Sequence, residues 1–595
     1  MNNYLLQDFF KKVSDYFEGE TNKAGVLICP KHRVEHTAKN SYAAMIDIQL
    51  HQLTGEQKYF DRAKKRIQRT IKNLIRDPDF GYWIFYPGRL GRWNMANSVN
   101  DCGACLDALT TFYSAYSTIL DIKEKEAIKD AIYKNSDTYL KNAVVEKEII
   151  NQRLWGASGL AKAYSVFREE RWREALIVSL KKSLGEMWPD GTFPYHSHFG
   201  DYKIFKGIYD TTAFYHSRCV AFIYYILDNI GEPLDNYRES LIRATDLLVA
   251  MYQPAGLKSI NLESKRWYWN SSYEVASHPF DIYALIKTYE LTKKDIYAYY
   301  ARKSLEQLLR HQVADGGIAS HLNEPQTNFQ CRVFWNSNLA WLARVIKEAA
   351  ALPEVGGIKE FQYFSDSGLF KFKNENYSCL IRGRKQPMSL MLGPAVGGGS
   401  LLYFGRKDGD WANVLWPKAW AQDIPANFSF RVKESRIQNL KRVFAANKRE
   451  IKTKAYHALI ELRAPNFKSF MSLCLTLAKM IITSSAPVFA SQWSCFPETF
   501  LSPDRLIFKI APAKRDGREL AGAKLEREFL FKENNVLIRE RLSLDNQKIK
   551  KVRYNKPKTA YDLKISAGLS YNEGKENIVF RVNKPQAIIE ISYIF

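Results

Sequence analysis

Histidine, tyrosine and arginine crowd into one stretch of the chain, EMWPDGTFPYHSHFGDYKIFKGIYDTTAFYHSR, from Glu186 to Arg218. Imidazoles and phenols move protons, and a guanidinium beside them holds an anion. His216 and Arg218 stand next to Tyr215 at the start of an apolar helical pattern. That trio can bind a carboxylate, with His216 as a base. His196 and His198 form a His-x-His pair near Asp201, but no third and fourth ligands accompany them. They read as loop histidines that touch a bound molecule, and no metal or other cofactor is expected. Further on, Tyr268, Trp269, Asn270 and Tyr273 offer a stacking platform, an amide and a phenol proton donor. Asn151 and Arg153 open another apolar helix, and His278 precedes Pro279 at a third helix start. Arg92 with Trp93, and Arg332 with Trp335, complete the set as binding contacts. Each has a plainer reading beside the chemical one: a buried histidine bonded to a loop, a helix-capping Asn, aromatic core, or solvated surface. Asp101, Asp190 and Asp210 are the carboxylates a hydrolytic pair would draw on, although Asp190 also suits the turn before Gly191 and Asp101 a helix cap.

These residues need elements to position them. Up to about residue 355 the chain reads as helix after helix in one recurring pattern. An apolar helix leads through a short turn to a basic amphipathic one, as in MIDIQLHQLTGEQKYFDRAKKRIQRTI and AYSVFREERWREALIVSLKKSL. A hairpin of this kind cannot bury both faces alone, so neighbours must stack. If they stack with alternating direction, every loop after a basic helix falls at one end. The N-termini of the apolar, inner helices then converge there with their partial positive charge.

From about residue 356 the texture changes to alternating strands. FQYFSDSGLFKFKNENYSCLIRGRK carries an Asn-Glu-Asn turn, GPAVGGGSLLYFG a glycine turn, and RIQNLKRVFAA, HALIELRA, NNVLIRERLSL and ENIVFRV continue the pattern. This predicts two domains, an α domain over 1–355 and an antiparallel β-sandwich domain over 356–595, joined at LPEVGGI (Leu352–Ile358).

The 87 Lys+Arg against 63 Asp+Glu give a net charge of +24, a field that draws in polyanions. Nucleic acid, anionic lipid and acidic polysaccharide are the candidate partners. No helix-turn-helix, zinc-finger or RNP-type pattern supports nucleic acid. The most apolar run, Ser469–Ala490, is interrupted by Lys479 and set among strand-like sequence, so a buried sheet is expected rather than a membrane span. The N-terminus, MNNYLLQDFFKKVSDYF, is an amphipathic helix without the sections of a signal peptide. CGAC (Cys102–Cys105) lacks a second Cys/His pair, so the eight cysteines read as packed thiols. A cytoplasmic chain is expected, with self-association left open.

A helical-hairpin array followed by an antiparallel β domain resembles the heparinase II/III and alginate-lyase group of polysaccharide lyases. Locally the likeness rests on the Asp190–Gly191 turn before an aromatic/His loop, the helix start FYHSR, and the β-domain opening SDSGLFKFKNENYSCLIRG. The resemblance implies an incomplete (α/α) toroid and β-elimination on a uronate-containing glycan, an acidic polysaccharide or oligosaccharide. It implies a group that neutralises the C5 carboxylate, and a Tyr or His that takes the C5 proton. His216, Arg218, Tyr215 and Tyr273 would then be catalytic. Asn151, Arg153, His196, His198, Tyr268, Trp269, Asn270, His278, Arg92, Trp93, Arg332 and Trp335 would bind substrate. The sequence departs from the group at Pro194–Tyr195, where a Glu is common, and after residue 350 its one histidine is His457. A uronyl C5-epimerase, a glycoside hydrolase and a non-catalytic acidic-glycan binder share the same frame.

Overall fold

The computed structural model describes residues 3–23, 25–28, 34–77, 81–86, 98–195, 211–259, 273–319, 332–356, 360–385, 396–406, 427–432, 488–514, 517–546, 548–556, 561–566, 569–584 and 586–595, with scattered positions between 437 and 478. The chain divides into two compact units. Met1–Phe199, Phe214–Tyr252 and Glu274–Gly356 form one; Gly200–Ala213, Gln253–Tyr273 and Gly357–Phe595 form the other.

The first unit is helical. In chain order it holds α1 (Asn3–Gly19), α2 (Thr37–Thr54), α3 (Gln57–Lys72), α4 (Ser98–Tyr116), α5 (Ile122–Asn135), α6 (Lys141–Glu146), α7 (Ile150–Phe167), α8 (Glu170–Gly185), α9 (Ala213–Ile230), α10 (Arg238–Ala250), α11 (His278–Thr292) and α12 (Asp295–Arg310). Three short helices follow: α13 (Arg332–Ser337), α14 (Ala340–Ala343) and α15 (Ile346–Ala350). The inner helices α2, α4, α7, α9 and α11 are buried nearly all round, as their near-continuous apolar and small residues require. Outer helices such as α3 and α8 bury one stripe and turn Lys, Arg and Glu outward. The closest inner contact is that of α4 with α7. A Cβ on Gly103 would lie 2.3 Å from the Trp155 carbonyl oxygen, and one on Gly159 would lie 2.1 Å from that of Gly103. Only glycine lets these two backbones touch.

One turn punctuates the array. In WPDGT the Trp188 amide donates to Thr192 O and the Gly191 amide to Trp188 O. The same two bonds recur in NKAGV (Asn22–Val26), QPAGL (Gln253–Leu257) and VADGG (Val313–Gly317). The glycine of each turn has a positive φ, from 70s to 90s of degrees, which favours the absence of a Cβ. The ends of the array meet: Gln312 Nε2 donates to Phe9 O at 3.0 Å, and Trp341 of α14 reaches Tyr42 of α2.

In the second unit the sheets are antiparallel. One has four strands, β5 (Glu360–Phe364), β6 (Leu369–Lys373), β7 (Tyr377–Arg382) and β8 (Ser400–Arg406), in that order; β1–β4 are two short ladders, Leu74–Arg76 with Trp83–Phe85 and Lys258–Ser259 with Tyr273–Glu274. A five-stranded sheet runs β10-β9-β15-β18-β17, from Val488–Ala490 through Asn427–Val432, Ile549–Asn555 and Asn577–Val582 to Leu569–Glu573. A six-stranded sheet runs β11-β12-β13-β14-β19-β16, Glu498–Ser502, Arg505–Ile510, Ala523–Phe531, Val536–Asp545, Gln586–Ile594 and Tyr561–Ile565. Alternate residues of both large sheets, among them Phe430, Val552, Phe580, Phe529, Ile538 and Ile591, share one core. Inside it Arg527 pairs with Glu540, which also accepts from the Tyr554 hydroxyl at 2.7 Å. Arg527 Nη1 reaches the carbonyls of Gly398 and Gly399 at 3.0 Å, tying the glycine turn to the sandwich.

Two strand expectations need correction. RIQNLKRVFAA is helical at Ile437, Gln438, Leu440, Lys441, Phe444 and Ala445, and the run from Ser469 is helical at Met471, Cys474, Leu475 and Ala478. Ile437, Leu440 and Phe444 recur at i, i+3 and i+7, and Met471, Cys474, Leu475 and Ala478 at i, i+3, i+4 and i+7, helical spacings that the strand reading overlooked. HALIELRA lies outside the described residues.

Candidate functional site

The inner helices bring their first turns together at one end of the helical unit. α2 supplies Lys39, α4 Asp101, α7 Asn151 and Trp155, α9 Tyr215 and Arg218, α11 Phe280, and α13 Phe334 and Trp335. Trp155 and Phe334 are the centre of this cluster. The Lys39 Nζ lies 4.8 Å from the Trp155 ring centre and 4.3 Å from that of Phe334. The Arg218 guanidinium lies 5.0 Å from Trp155, 5.1 Å from Phe280, 3.8 Å from Phe214 and 5.8 Å from Phe334. Both cations are almost wholly buried, at 5% and 2% exposure, so two positive charges share the faces of the same two rings.

Around them stand three other polar groups. Asp101 sits in the first turn of α4, three residues past its start at Ser98, rather than capping it. Burial pushes its carboxyl up to about 6, with Lys39 pulling the other way. The Asn151 Oδ1 is buried and accepts no hydrogen bond among the described residues. Tyr215 is buried against Tyr195, ring centres 4.8 Å apart, and lies 5.7 Å from the Arg218 guanidinium. The helix N-termini add partial positive charge. This arrangement suits negative charge on a ligand and on whatever develops from it.

Deeper in the toroid the chain closes on itself. The Tyr42 hydroxyl accepts from Trp155 Nε1 at 2.6 Å and Trp341 Nε1 at 3.2 Å. Phe222, Phe280 and Trp341 pack beside them with ring centres 5.0–5.6 Å apart. Next to this aromatic layer, Tyr225 donates to Asp107 at 2.8 Å, and Arg344 donates to Tyr225 at 2.6 Å and to Asp107.

Several expected site residues are otherwise employed. His216 is fully buried; the Phe193 amide donates to its Nδ1 at 3.3 Å and its Nε2 donates to Ala244 O at 2.8 Å. Both ring nitrogens are spent on backbone, so the imidazole is a strut and not a free base. Arg153 is corrected likewise: Ser183, the Lys147 carbonyl and Glu186 take its guanidinium in a wholly buried ion pair. Arg332 grips Asp315 with both terminal nitrogens and holds that carboxyl below the usual range. Trp335 is buried against Phe214 and Phe334. His278 is buried beside Tyr252, its Nδ1 3.4 Å from Ser304 O. Tyr273 is half-buried in a two-residue strand that belongs to the second unit at its edge. Asp190 Oδ1 accepts from the Thr192 amide, the turn role foreseen for it. Arg92, Trp93, His196, His198, Tyr268, Trp269, Asn270 and Asp210 lie outside the described residues. Lys39 was missed by the sequence reading, although a lysine at the start of an apolar inner helix, in step with Arg218, was the signal for it. Among the described residues no three His, Cys, Asp or Glu cluster as metal ligands, and no helix is long and apolar enough to cross a membrane.

No protein-family model matches the chain, and no curated protein matches it in sequence. Solved structures do match. A chondroitin AC lyase of Streptomyces coelicolor, in complex with chondroitin sulphate, aligns over 99% of this chain and 79% of its own at 8% identity, with a TM-score of 0.53. A mutant of that lyase aligns equally well at 9% identity. A glycosyl hydrolase family 88 protein of Bacteroides vulgatus aligns over 58% of this chain and 100% of its own, at 14% identity and a TM-score of 0.44. At such identities the likeness is one of fold. The chain is an (α/α) toroid followed by antiparallel β-sheets, the multidomain α-then-β architecture that chondroitin AC lyase also has.

Proposed function

We propose that this protein acts on an acidic polysaccharide or oligosaccharide, cleaving it by β-elimination at the inner-helix N-termini. The observation that carries the reading is the pair of buried cations, Lys39 and Arg218, on the shared faces of Trp155 and Phe334. A uronate carboxylate meets the cations, which lie on the aromatic faces. They hold the charge that builds on the carboxylate as the C5 proton leaves. Asn151 Oδ1 accepts a sugar hydroxyl. With His216 committed to backbone, Tyr215 takes over the proton transfer. As a phenolate it removes the C5 proton, the C5–H electrons form the C4–C5 double bond, and the C4–O4 bond breaks. The same phenol then returns the proton to the leaving oxygen.

A second reading has one observation in its favour. A carboxyl lifted to about 6, as that of Asp101 is, suits the general acid of a glycoside hydrolase.

Ultraviolet absorbance during incubation with a panel of uronate glycans separates them, because only elimination leaves the conjugated double bond. Absorbance that rises, and is lost in Arg218→Met and Tyr215→Phe while their melting curves hold, supports the lyase and its site. New reducing ends without absorbance, lost in Asp101→Asn, would replace it with a hydrolase. A flat trace with solvent deuterium entering C5 would indicate an epimerase, and silence in all three assays a binding protein.

A further inference from the structure

Between outer helices α3 and α5 lies a cavity of about 420 Å³. Its floor is apolar, built by Ile67, Ile71, Phe112 and Ile128, and its rim carries Lys64, Lys72 and Lys123. That size and lining fall in the range of sites that hold small apolar ligands. The one rim carboxylate, Glu124, is taken by Lys64 at 2.7 Å and receives Gln68 as well. Lys72 and Lys123 make no ion pair among the described residues. The turn that supplies Leu120 and Lys123 also thrusts out Ile119 and Ile122, which are 66% and 77% exposed. In the same unit Tyr4 and Leu5 of α1 are also exposed, at 77% and 49%, but the isoleucines stand beside an apolar cavity.

We propose that this face docks on an anionic lipid surface. Ile119 and Ile122 enter the interfacial region, an acyl chain occupies the apolar cavity, and the lysines meet the headgroup charge. Apolar surface lies at the tip and floor of this face and lysines on its rim, with the exposed Asp121 carboxylate between the two isoleucines accepting from the Glu124 amide. A partner helix lying in the groove would instead need an apolar track several turns long, whereas this floor is compact and its most exposed apolar residues stand on a protruding turn. The chain's net charge of +24 favours approach to such a surface.

The test is co-sedimentation of the full chain with vesicles of phosphatidylcholine alone and of phosphatidylcholine with phosphatidylserine, at two salt concentrations. Binding is expected to the anionic vesicles only, weakening at higher salt. Lys72→Glu with Lys123→Glu should weaken it by about tenfold or more, given the attraction each juxtamembrane lysine contributes. Ile119→Ser with Ile122→Ser should weaken it at unchanged charge, and neither pair should move the melting curve. A control pair on exposed lysines of the second unit, Lys575→Glu with Lys584→Glu, makes the same charge change and should leave binding intact. Equal binding to neutral vesicles, no binding, or equal losses from the control and rim pairs would overturn the proposal. Vesicle-independent capture of an acidic amphipathic peptide, abolished by the rim pair, would overturn it in favour of a protein partner.

Discussion

Two layers of the helical toroid use nearly the same side chains to opposite effect. In the deeper layer Arg344, Asp107 and Tyr225 hydrogen-bond to one another, so the guanidinium, though 4.4 Å from the Tyr225 ring centre and 4.7 Å from that of Trp341, also has a carboxylate partner. At the inner-helix N-termini, Lys39 and Arg218 lie on ring faces, with a half-buried carboxyl nearby that burial drives toward its neutral form. An ion pair sealed inside a core costs desolvation and gives back geometry. Lys39 and Arg218 are set instead on aromatic faces, where cation–π attraction offsets part of the cost of their burial. Arg153, a few residues into α7, belongs with the first kind although it stands near the second. Helix position alone therefore does not tell what an arginine is paired with; the identity of its neighbours does.

Breaking the deeper layer should have the largest effect. Arg344→Met strands the Asp107 carboxylate in the core and should cost about 3–5 kcal/mol of stability, read by chemical denaturation. Arg218→Met, by contrast, should leave the fold in place and lower turnover on the glycan that is cleaved by about 10²–10³-fold, with Arg218→Lys recovering part of it. Loss of stability equal to that of Arg344→Met would erase the distinction between the layers. His216→Ala leaves the Phe193 amide and the Ala244 carbonyl without their partner, and should cost about 1–3 kcal/mol whether or not substrate is present. A loss of activity with an unmoved melting curve would return the histidine to the chemistry.

The smallest expected effect sharpens the comparison through pH. Folded, Asp101 keeps its proton up to about pH 6, whereas an unfolded aspartate releases it near 3.9. Stability from this group is therefore complete below about pH 4 and is lost as pH rises through about 6. Asp101→Asn cannot ionise and should flatten that part of the profile, measured as melting temperature from pH 4 to 7.

The alternation of apolar and basic helices was legible because burial on all sides and burial on one side leave different compositions. So was the convergence of inner-helix N-termini, which follows from stacking hairpins. The repeated glycine turn was written in the sequence too, in NKAGV, WPDGT, QPAGL and VADGG, but only the Asp190–Gly191 copy was singled out. The partners were not legible. Glu186 meets Arg153 across 33 residues, and the two indoles that meet on Tyr42 come from positions 113 and 299 residues away. Such meetings depend on how hairpins curve into a ring, which local patterns do not encode. The strand reading of residues near 437–445 failed for a nearer reason, since short apolar runs fit either period until their spacing is counted.

The aromatic layer around Tyr42 has a topological consequence. With Trp155, Phe222, Phe280 and Trp341 filling the middle of the ring, the toroid is a blind cup and not a sleeve. No polymer can be threaded through it. Anything held at the inner-helix N-termini therefore meets a closed aromatic layer beneath it and cannot pass on between the inner helices.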